Sequence, residues 1–277
     1  MSNRGDDLVE VEDLHFAYGE NQVLKGLNLR IPRGQTVGIL GSSGCGKTTL
    51  VKLIGGQLRP AVGRVRVDGH VVHQLDNDEL YALRRKIGVM FQAGGLFTDL
   101  SVYENIAFPM REHTDLPESM IRDLVLMKLH SVGLRGTHAM ATGELSGGMS
   151  RRVALARAIA LDPMLIIYDE PFAGLDPISL NVIAHLIRRL NDALGATSIV
   201  VTYDVSESLK VVDRAYFISD GKLVGEGTPK EMTESSNPSV HQFLNAEPEG
   251  PVAFHYPAPP LGVDLAMPAA SPPQPGP

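Results

Sequence analysis

A chain of 277 residues is long for one simple domain and short for two large ones, so one domain with a substantial inserted unit is expected. Its 25 Lys and Arg against 32 Asp and Glu leave a formal net charge of −7, which argues against a general nucleic-acid binder, because phosphate contacts need clustered Lys and Arg. The acidic start MSNRGDDLVEVED has no apolar stretch, no run approaches the roughly 18 apolar residues of a spanning helix, and the single cysteine, Cys45, excludes an internal disulfide; a soluble, non-exported chain in a reducing compartment is expected.

In chain order, LHFAYG (14–19) reads as part of an early strand, and TVGIL (36–40) as a strand apolar on both faces. GSSGCGKTT (41–49) then opens the helical stretch TTLVKLI. GRVRVDGHVV (63–72) alternates Val with Arg and turns at Asp68-Gly69, a favoured two-residue hairpin, so an antiparallel edge piece is predicted. After the strand-like IGVMFQ (87–92) the strand signal disappears until Pro163. Helical period replaces it, as in Ile121, Leu124, Val125, Leu129 and Val132, which predicts a helical insertion over about 93–163. MLIIY (164–168) and TSIVVT (197–202) return to buried-strand composition, separated by a helix that follows Pro177 and stops at Gly195. VVTYD (200–204) ends a strand on Tyr203 and offers Asp204 as a helix cap, and AYFISDGKLVGEG (215–227) is a last hairpin turning at Asp220-Gly221. Alternating strands and helices of this kind predict an α/β fold with a largely parallel sheet. From Ala246 onward there are ten prolines and no Lys or Arg, the composition of a tail rather than a domain.

Three segments carry chemistry. In 41–49, Gly41, Ser42, Ser43, Gly44, Cys45 and Gly46 form a strand-to-helix loop whose N–H groups curl around phosphate oxygens. Lys47 neutralises the β and γ phosphates, the Thr48 hydroxyl is a Mg²⁺ ligand, and Thr49 continues the helix start. Cys45 reads as a small filler, although a helix N-terminus lowers a thiol pKa. LIIYDE (165–170) delivers two carboxylates at a strand end, Asp169 for the metal shell and Glu170 to orient or deprotonate the attacking water. ELSGGMSRR (144–152) places Ser146, Gly147 and Gly148 at a helix N-terminus, a second anion site. His15, His113 and His241 have no partners at metal-ligand spacing.

These segments, in this order, resemble the ATP-binding-cassette (ABC) ATPases, with Met149 where the LSGGQ signature has glutamine. The resemblance covers residues 8 to about 245. It implies a nucleotide-binding domain over 1–245 with a RecA-like parallel core, an antiparallel β subdomain and the helical insertion, followed by a Pro-rich tail, 246–277. It implies ATP and Mg²⁺ as cofactors, and two copies packed head to tail so that Ser146, Gly147 and Gly148 complete the other copy's nucleotide site. Gln92 matches the glutamine that contacts Mg²⁺ and reports to the membrane partner, Asp176 the loop that crosses the dimer interface, and Tyr18 the aromatic that stacks on adenine. Stretch 91–118, LSGGM and the late QFLNAEPEGPVAFHYP are most similar to the ATP-binding subunit of the Mla/Mce-type phospholipid transporters of Gram-negative bacteria. That subgroup implies a permease at the cytoplasmic face of the inner membrane, a periplasmic Mce-domain protein and a small STAS-like cytosolic subunit as partners. Phe254 and Tyr256 in the tail read as apolar anchors for the opposing ATPase copy or the accessory subunit, with a plain solvated tail as the alternative. At Tyr203 the family usually has a histidine that bonds the γ-phosphate. A phenol donates a neutral hydrogen bond but is no cation or near-neutral proton shuttle. An ATPase for another imported substrate, and a slow or regulatory nucleotide-binding subunit, remain open as alternatives. Cassette ATPases that act on nucleic acid typically carry a second cassette or a long coiled coil, and this chain has neither.

Overall fold

The computed structural model describes residues 7–92, 94–252, 259 and 261–265. Phe254 and Tyr256 lie outside the described residues. The chain begins with two long strands, β1 (Asp7–Tyr18) and β2 (Asn21–Pro32), followed by β3 (Thr36–Leu40) and α1 (Lys47–Ile54). β4 (Val62–Val67) and β5 (His70–Val71) make the hairpin expected at Asp68-Gly69; α2 (Asn77–Arg85) and β6 (Ile87–Met90) follow. The insertion is helical: α3 (Val102–His113), α4 (Glu118–Ser131) and α5 (Gly147–Ala158). Then come β7 (Leu165–Asp169), α6 (Pro177–Leu194), β8 (Thr197–Thr202), α7 (Val205–Val211), β9 (Arg214–Ser219) and β10 (Lys222–Gly227). Short helices α8 (Pro229–Thr233), α9 (Pro238–Leu244) and α10 (Leu261–Asp264) close the chain.

Two sheets result. One is antiparallel, in the order β2-β1-β4-β5; the other runs β10-β9-β3-β8-β7-β6. In the second sheet β9, β3, β8, β7 and β6 pair in parallel, and only β10 is antiparallel. The unbroken apolar strands are buried on both faces, and period 2 sends alternate residues to different cores. Leu165 and Ile167 of β7 join the core shared with α1 and the antiparallel sheet, while Ile166 and Tyr168 join the core under the inserted helices and α6. Each fully buried Ile or Leu contributes roughly 1.5–3 kcal/mol relative to exposure.

Helix ends follow local chemistry. Pro177 starts α6 under an Asp176 cap, and Gly195 ends it with φ of +59°. Asp204 caps α7 as its position suggested. Two boundaries differ from expectation. α5, which the sequence from Ser146 suggests would run toward Leu161, stops at Ala158; beyond it Asp162 takes a left-handed φ of +47° and Pro163 precedes β7. β6 ends at Met90, so Gln92 lies beyond the strand, next to a turn in which the Gly94 N–H donates to the Phe91 carbonyl at 2.7 Å.

The change of composition at Ala246 is also not where the chain leaves the body of the protein. The buried Gln242 side chain of α9 donates to the Glu247 and Val252 carbonyls at 3.3 and 3.0 Å and accepts from the Val252 N–H at 2.8 Å, holding 247–252 against α9.

The segment joining β6 to the insertion is organised by one buried amide. Asn105 is fully buried; its side chain accepts from the Phe97 N–H at 2.9 Å and donates to the Phe97 and Ser101 carbonyls at 3.1 and 3.0 Å. Asn105→Leu keeps the volume but strips these partners, which costs the desolvation of each orphaned group. The expected outcome is a loss of about 3 kcal/mol, read as a lowered urea midpoint with unchanged m-value. An unchanged midpoint would show that this amide does not organise the segment.

Candidate functional site

The carboxyl ends of β3, β8, β7 and β6 lie along one edge of the sheet, and the candidate residues follow those ends. In register, Leu40 pairs with Thr202 and Asp169 with Val201, so the loop after β3, Tyr203 after β8 and Glu170 after β7 share a layer. This is where ligands of open α/β sheets bind. A cavity of about 310 Å³ opens there, and Tyr18, Lys47, Thr48, Gln92, Glu170 and Tyr203 all line it. Val23, Ser43, Gly44, Gly46 and Thr49 complete its wall.

The loop 41–46 is shaped by glycine where no other residue fits. Gly41 has φ of +150°, and a Cβ there would lie 2.2 Å from the Ile218 carbonyl oxygen. Gly46 is the cap of α1 at φ +106°, with no side chain bonding the first N–H groups of the helix. Those N–H groups therefore remain available to an anion. The buried Lys47 ammonium donates to the carbonyls of Gly41 and Ser42 at 2.7 and 2.9 Å. Gly41, Ser42 and Cys45 are the members of the loop that do not face the cavity: the first two hold Lys47 through their carbonyls, and Cys45 is packed in the core behind α1. Burial pushes the Cys45 thiol up, against the pull of Lys47, so the lowering expected of a helix N-terminus is overridden.

Asp169 and Glu170 are both buried. Burial raises the pKa of Asp169, with Lys47 and Lys52 pulling it back, and its Oδ1 has no hydrogen-bond partner. Burial raises Glu170 too, opposed by the Thr202 hydroxyl, Lys47 and the Tyr203 N–H. Glu170 adopts φ of +50°, held by its N–H to the Val201 carbonyl at 2.8 Å and by its Oε2, which accepts from the Tyr203 N–H at 3.3 Å. The link between Tyr203 and Glu170 is thus a main-chain one, while the phenol stands half-exposed on the cavity wall. Tyr18 is half-exposed at the cavity rim and packs edge-on against Phe16, centroids 4.9 Å apart.

Thr48 and Gln92 line the cavity, whereas Asp169 lies behind its wall, next to Glu170 at the end of β7, with one buried carboxylate oxygen unpartnered; hydroxyl, amide and carboxylate oxygens are the donor types that suit Mg²⁺. Among the described residues there is no cluster of three or more His, Cys, Asp or Glu side chains that could hold a metal ion by themselves.

Ser146, Gly147, Gly148 and Asp176 lie outside this cavity. Ser146 caps α5 by accepting from the Met149 N–H at 3.3 Å, and Asp176 caps α6 by accepting from Ile178 and Ser179 N–H groups at 3.0 Å. The two helix starts are pressed together: a Cβ on Gly148 would meet the Ser179 hydroxyl at 2.8 Å. Met149 packs against the core of the insertion. One residue beside the site carried no sequence expectation. Arg151, also on α5, donates to the main-chain carbonyls of Gln92 and Ala173.

The family model for the ABC transporter matches residues 24–173. The chain belongs to the ABC transporter family. It is 55% identical over 252 residues to the intermembrane phospholipid transport system ATP-binding protein MlaF of Haemophilus influenzae, covering 91% of this chain and 96% of that one. The structure is similar to cbiO1 of Clostridium perfringens, part of an ABC transporter complex, with a TM-score of 0.78 and 33% identity over 87% of this chain and 96% of that one. It is also similar to a dimeric post-hydrolysis state of the cassette MJ0796 bound to ADP and Pi, TM-score 0.73, 33% identity, covering 80% and 98%. This ABC ATPase therefore has the nucleotide-binding fold that its motif order implied.

The buried carboxylates carry a pH signature. Glu170 is raised in the folded protein, so folding favours its neutral form. That contribution is complete below the ordinary carboxylate range and is lost as pH rises through the folded value. At neutral pH the charged Glu170 of this ABC ATPase is consequently a destabilising group. Glu170→Gln is expected to raise the melting temperature of the nucleotide-free protein at pH 7.5, with a margin that shrinks as pH falls through the carboxylate range. A margin that grows on acidification would contradict the desolvation argument.

Proposed function

We propose that this chain is the ATP-hydrolysing subunit of an intermembrane phospholipid transporter. The observation that carries the reading is its 55% identity to MlaF over nearly the full length of both chains. In this reading two copies pack head to tail, each offering Ser146, Gly147, Gly148 and Asp176 to the nucleotide in the other's cavity. The dimeric form of a structural neighbour supports that arrangement. Among the described residues no helix is long and apolar enough to cross a membrane. In the same reading, which rests on the similarity to MlaF, the chain works from the cytoplasmic face of the inner membrane through a permease that carries the lipid path, with an Mce-domain protein and a STAS-like subunit in the same assembly. A groove of about 540 Å³ beside the Gln92 loop, with Phe91, Phe97 and Phe108 exposed in it, suits an apolar segment of that permease.

Tyr18 stacks on the adenine, the N–H groups at the start of α1 take the β phosphate, and Lys47 exchanges its carbonyl partners for phosphate oxygens. Asp169, Thr48 and Gln92 would hold Mg²⁺, which supplies charge neutralisation between the β and γ phosphates. Glu170, raised by burial, accepts the proton of the attacking water or aligns it. The Tyr203 hydroxyl donates to the γ-phosphate in place of the usual histidine. Closing the dimer on ATP and opening it after hydrolysis moves the permease, since nucleotide bound only by the closed state shifts that equilibrium.

Two measurements test this. Reconstituted with its membrane partners, the wild-type complex should move labelled phospholipid between vesicles only with hydrolysable ATP, and Glu170→Gln should lose about 10²- to 10⁴-fold in hydrolysis. Nucleotide hydrolysis without any lipid movement would overturn the substrate reading. For the switch position, Tyr203→Phe should lower kcat by about 10- to 150-fold, the worth of one hydrogen bond to a charged group made in the transition state. Equal rates for wild type and Phe would remove the hydroxyl role. Negligible wild-type turnover, with Tyr203→His active, would favour a slow regulatory subunit.

A further inference from the structure

Arg151 is a cation beside the catalytic cavity that the mechanism above does not use. It sits early in α5, and its guanidinium donates from Nη1 to the Gln92 carbonyl and from Nη2 to the Ala173 carbonyl, the latter at 3.0 Å. Partial burial disfavours its charge, and no carboxylate contributes to offsetting this. A partly buried cation held by two main-chain carbonyls and no carboxylate is a costly arrangement for a helix to keep.

The two carbonyls belong to the two sides of the site. Gln92 is a cavity residue itself. Ala173 closes the turn that follows Glu170, its N–H donating to the Glu170 carbonyl at 3.3 Å. Glu170 occupies a left-handed φ that a non-glycine residue keeps only when its surroundings hold it. Its other restraints, from Val201 and Tyr203, come from β8 and its end; Arg151 is the restraint that arrives from the inserted helices. Because a guanidinium fork is planar and rigid, bonding two carbonyls at once fixes the distance between the segments that own them.

We propose that Arg151 is a positioning residue for hydrolysis: its fork sets the Gln92 loop against the Glu170 turn, so that the metal-side amide and the water-activating carboxylate are placed together. This rests on the roles given to Gln92 and Glu170 above. A second arginine on the same helix isolates the effect. Arg157 donates to the Gly94 and Gly95 carbonyls at 3.0 and 2.7 Å and lies 5.6 Å from the Phe97 ring centroid, so the loop keeps its fold when Arg151 is replaced.

The test compares full-length wild type, Arg151→Met, Arg151→Lys, Gln92→Ala and Glu170→Gln by steady-state Mg²⁺-ATPase, ATP binding in EDTA, melting temperature and hydrogen exchange of the metal-free protein. Arg151→Met should lower kcat by about tenfold or more, the loss of one charge-assisted bond, while KM and metal-free ATP affinity stay within about twofold. Exchange should rise both in the peptide containing Gln92 and in the one containing Glu170 to Ala173, with melting temperature unchanged. Arg151→Lys should recover only part of the rate, because one ammonium does not reproduce the fork. The proposal is overturned by a wild-type kcat in Arg151→Met, by full rescue with Lys, or by a kcat loss that tracks a drop in melting temperature with exchange raised throughout. If Gln92→Ala and Glu170→Gln hydrolyse at the wild-type rate, the underlying roles fall and this proposal with them. If both are impaired and Arg151→Met is not, only the positioning role falls.

Discussion

Parallel pairing of β3, β8 and β7 is the constraint on which the rest of the structure depends. These strands are buried on both faces, so their order and register are fixed by apolar packing on two sides at once. A slip of one residue in β7 would exchange Ile166 and Tyr168 with Leu165 and Ile167 between two differently shaped cores. The same slip would carry Asp169 and Glu170 to the wrong height relative to the loop after β3. Cores and candidate site are therefore specified by the same side-chain alternation, and the layer that holds the candidate residues needs no separate device to align it.

What that layer holds is charge that folding has partly removed from water. Two carboxylates at the end of β7 are raised by burial, and the one nearby cation within the phosphate loop, Lys47, is occupied with carbonyls of its own loop. Such a site is electrostatically unfinished: Asp169 keeps an oxygen without a partner, and the first N–H groups of α1 have no cap. Binding of nucleotide with a hard cation supplies both missing signs together, which is a physical reason for a protein of this family to couple nucleotide binding to a change of shape. The cost of the unfinished state is borne by the cores around it, not by local pairing.

Much of this was legible in sequence because it depends on neighbours in the chain. All-apolar runs gave the central strands, Asp-Gly pairs gave both hairpins, and Pro177 with Gly195 bounded α6 almost to the residue. The Gly-rich loop 41–46 and the paired acids Asp169 and Glu170 could be placed at the sheet edge from sequence because each sits at one strand-to-helix or strand-to-loop junction. What was not legible depends on contacts between distant segments. Arg151 reaches carbonyls 59 and 22 residues away, and main-chain carbonyls carry no sequence signal at all. The clamp of Gln242 on 247–252 was hidden for the same reason, behind a Pro-rich composition that reads as tail. Cys45 fits the reading as a small filler, and the lowering that a helix N-terminus offers a thiol is outweighed by burial in the core it shares with the antiparallel sheet.

The tyrosine at the switch position shows how these two kinds of contact divide the work. The bond that holds Glu170 from this side is donated by the Tyr203 main chain, and any residue except proline supplies it. Changing the side chain at this position therefore leaves the carboxylate where β8 and the Glu170 turn put it. Only the group presented to the cavity changes, from an imidazole to a half-exposed phenol near a cationic Arg151. A neutral donor beside a fixed cation is a different electrostatic solution from a titratable one. In the proposed mechanism the switch position then contributes geometry and one hydrogen bond, while the charge that folding has partly removed from water stays on the two carboxylates of the β7 end, Asp169 and Glu170.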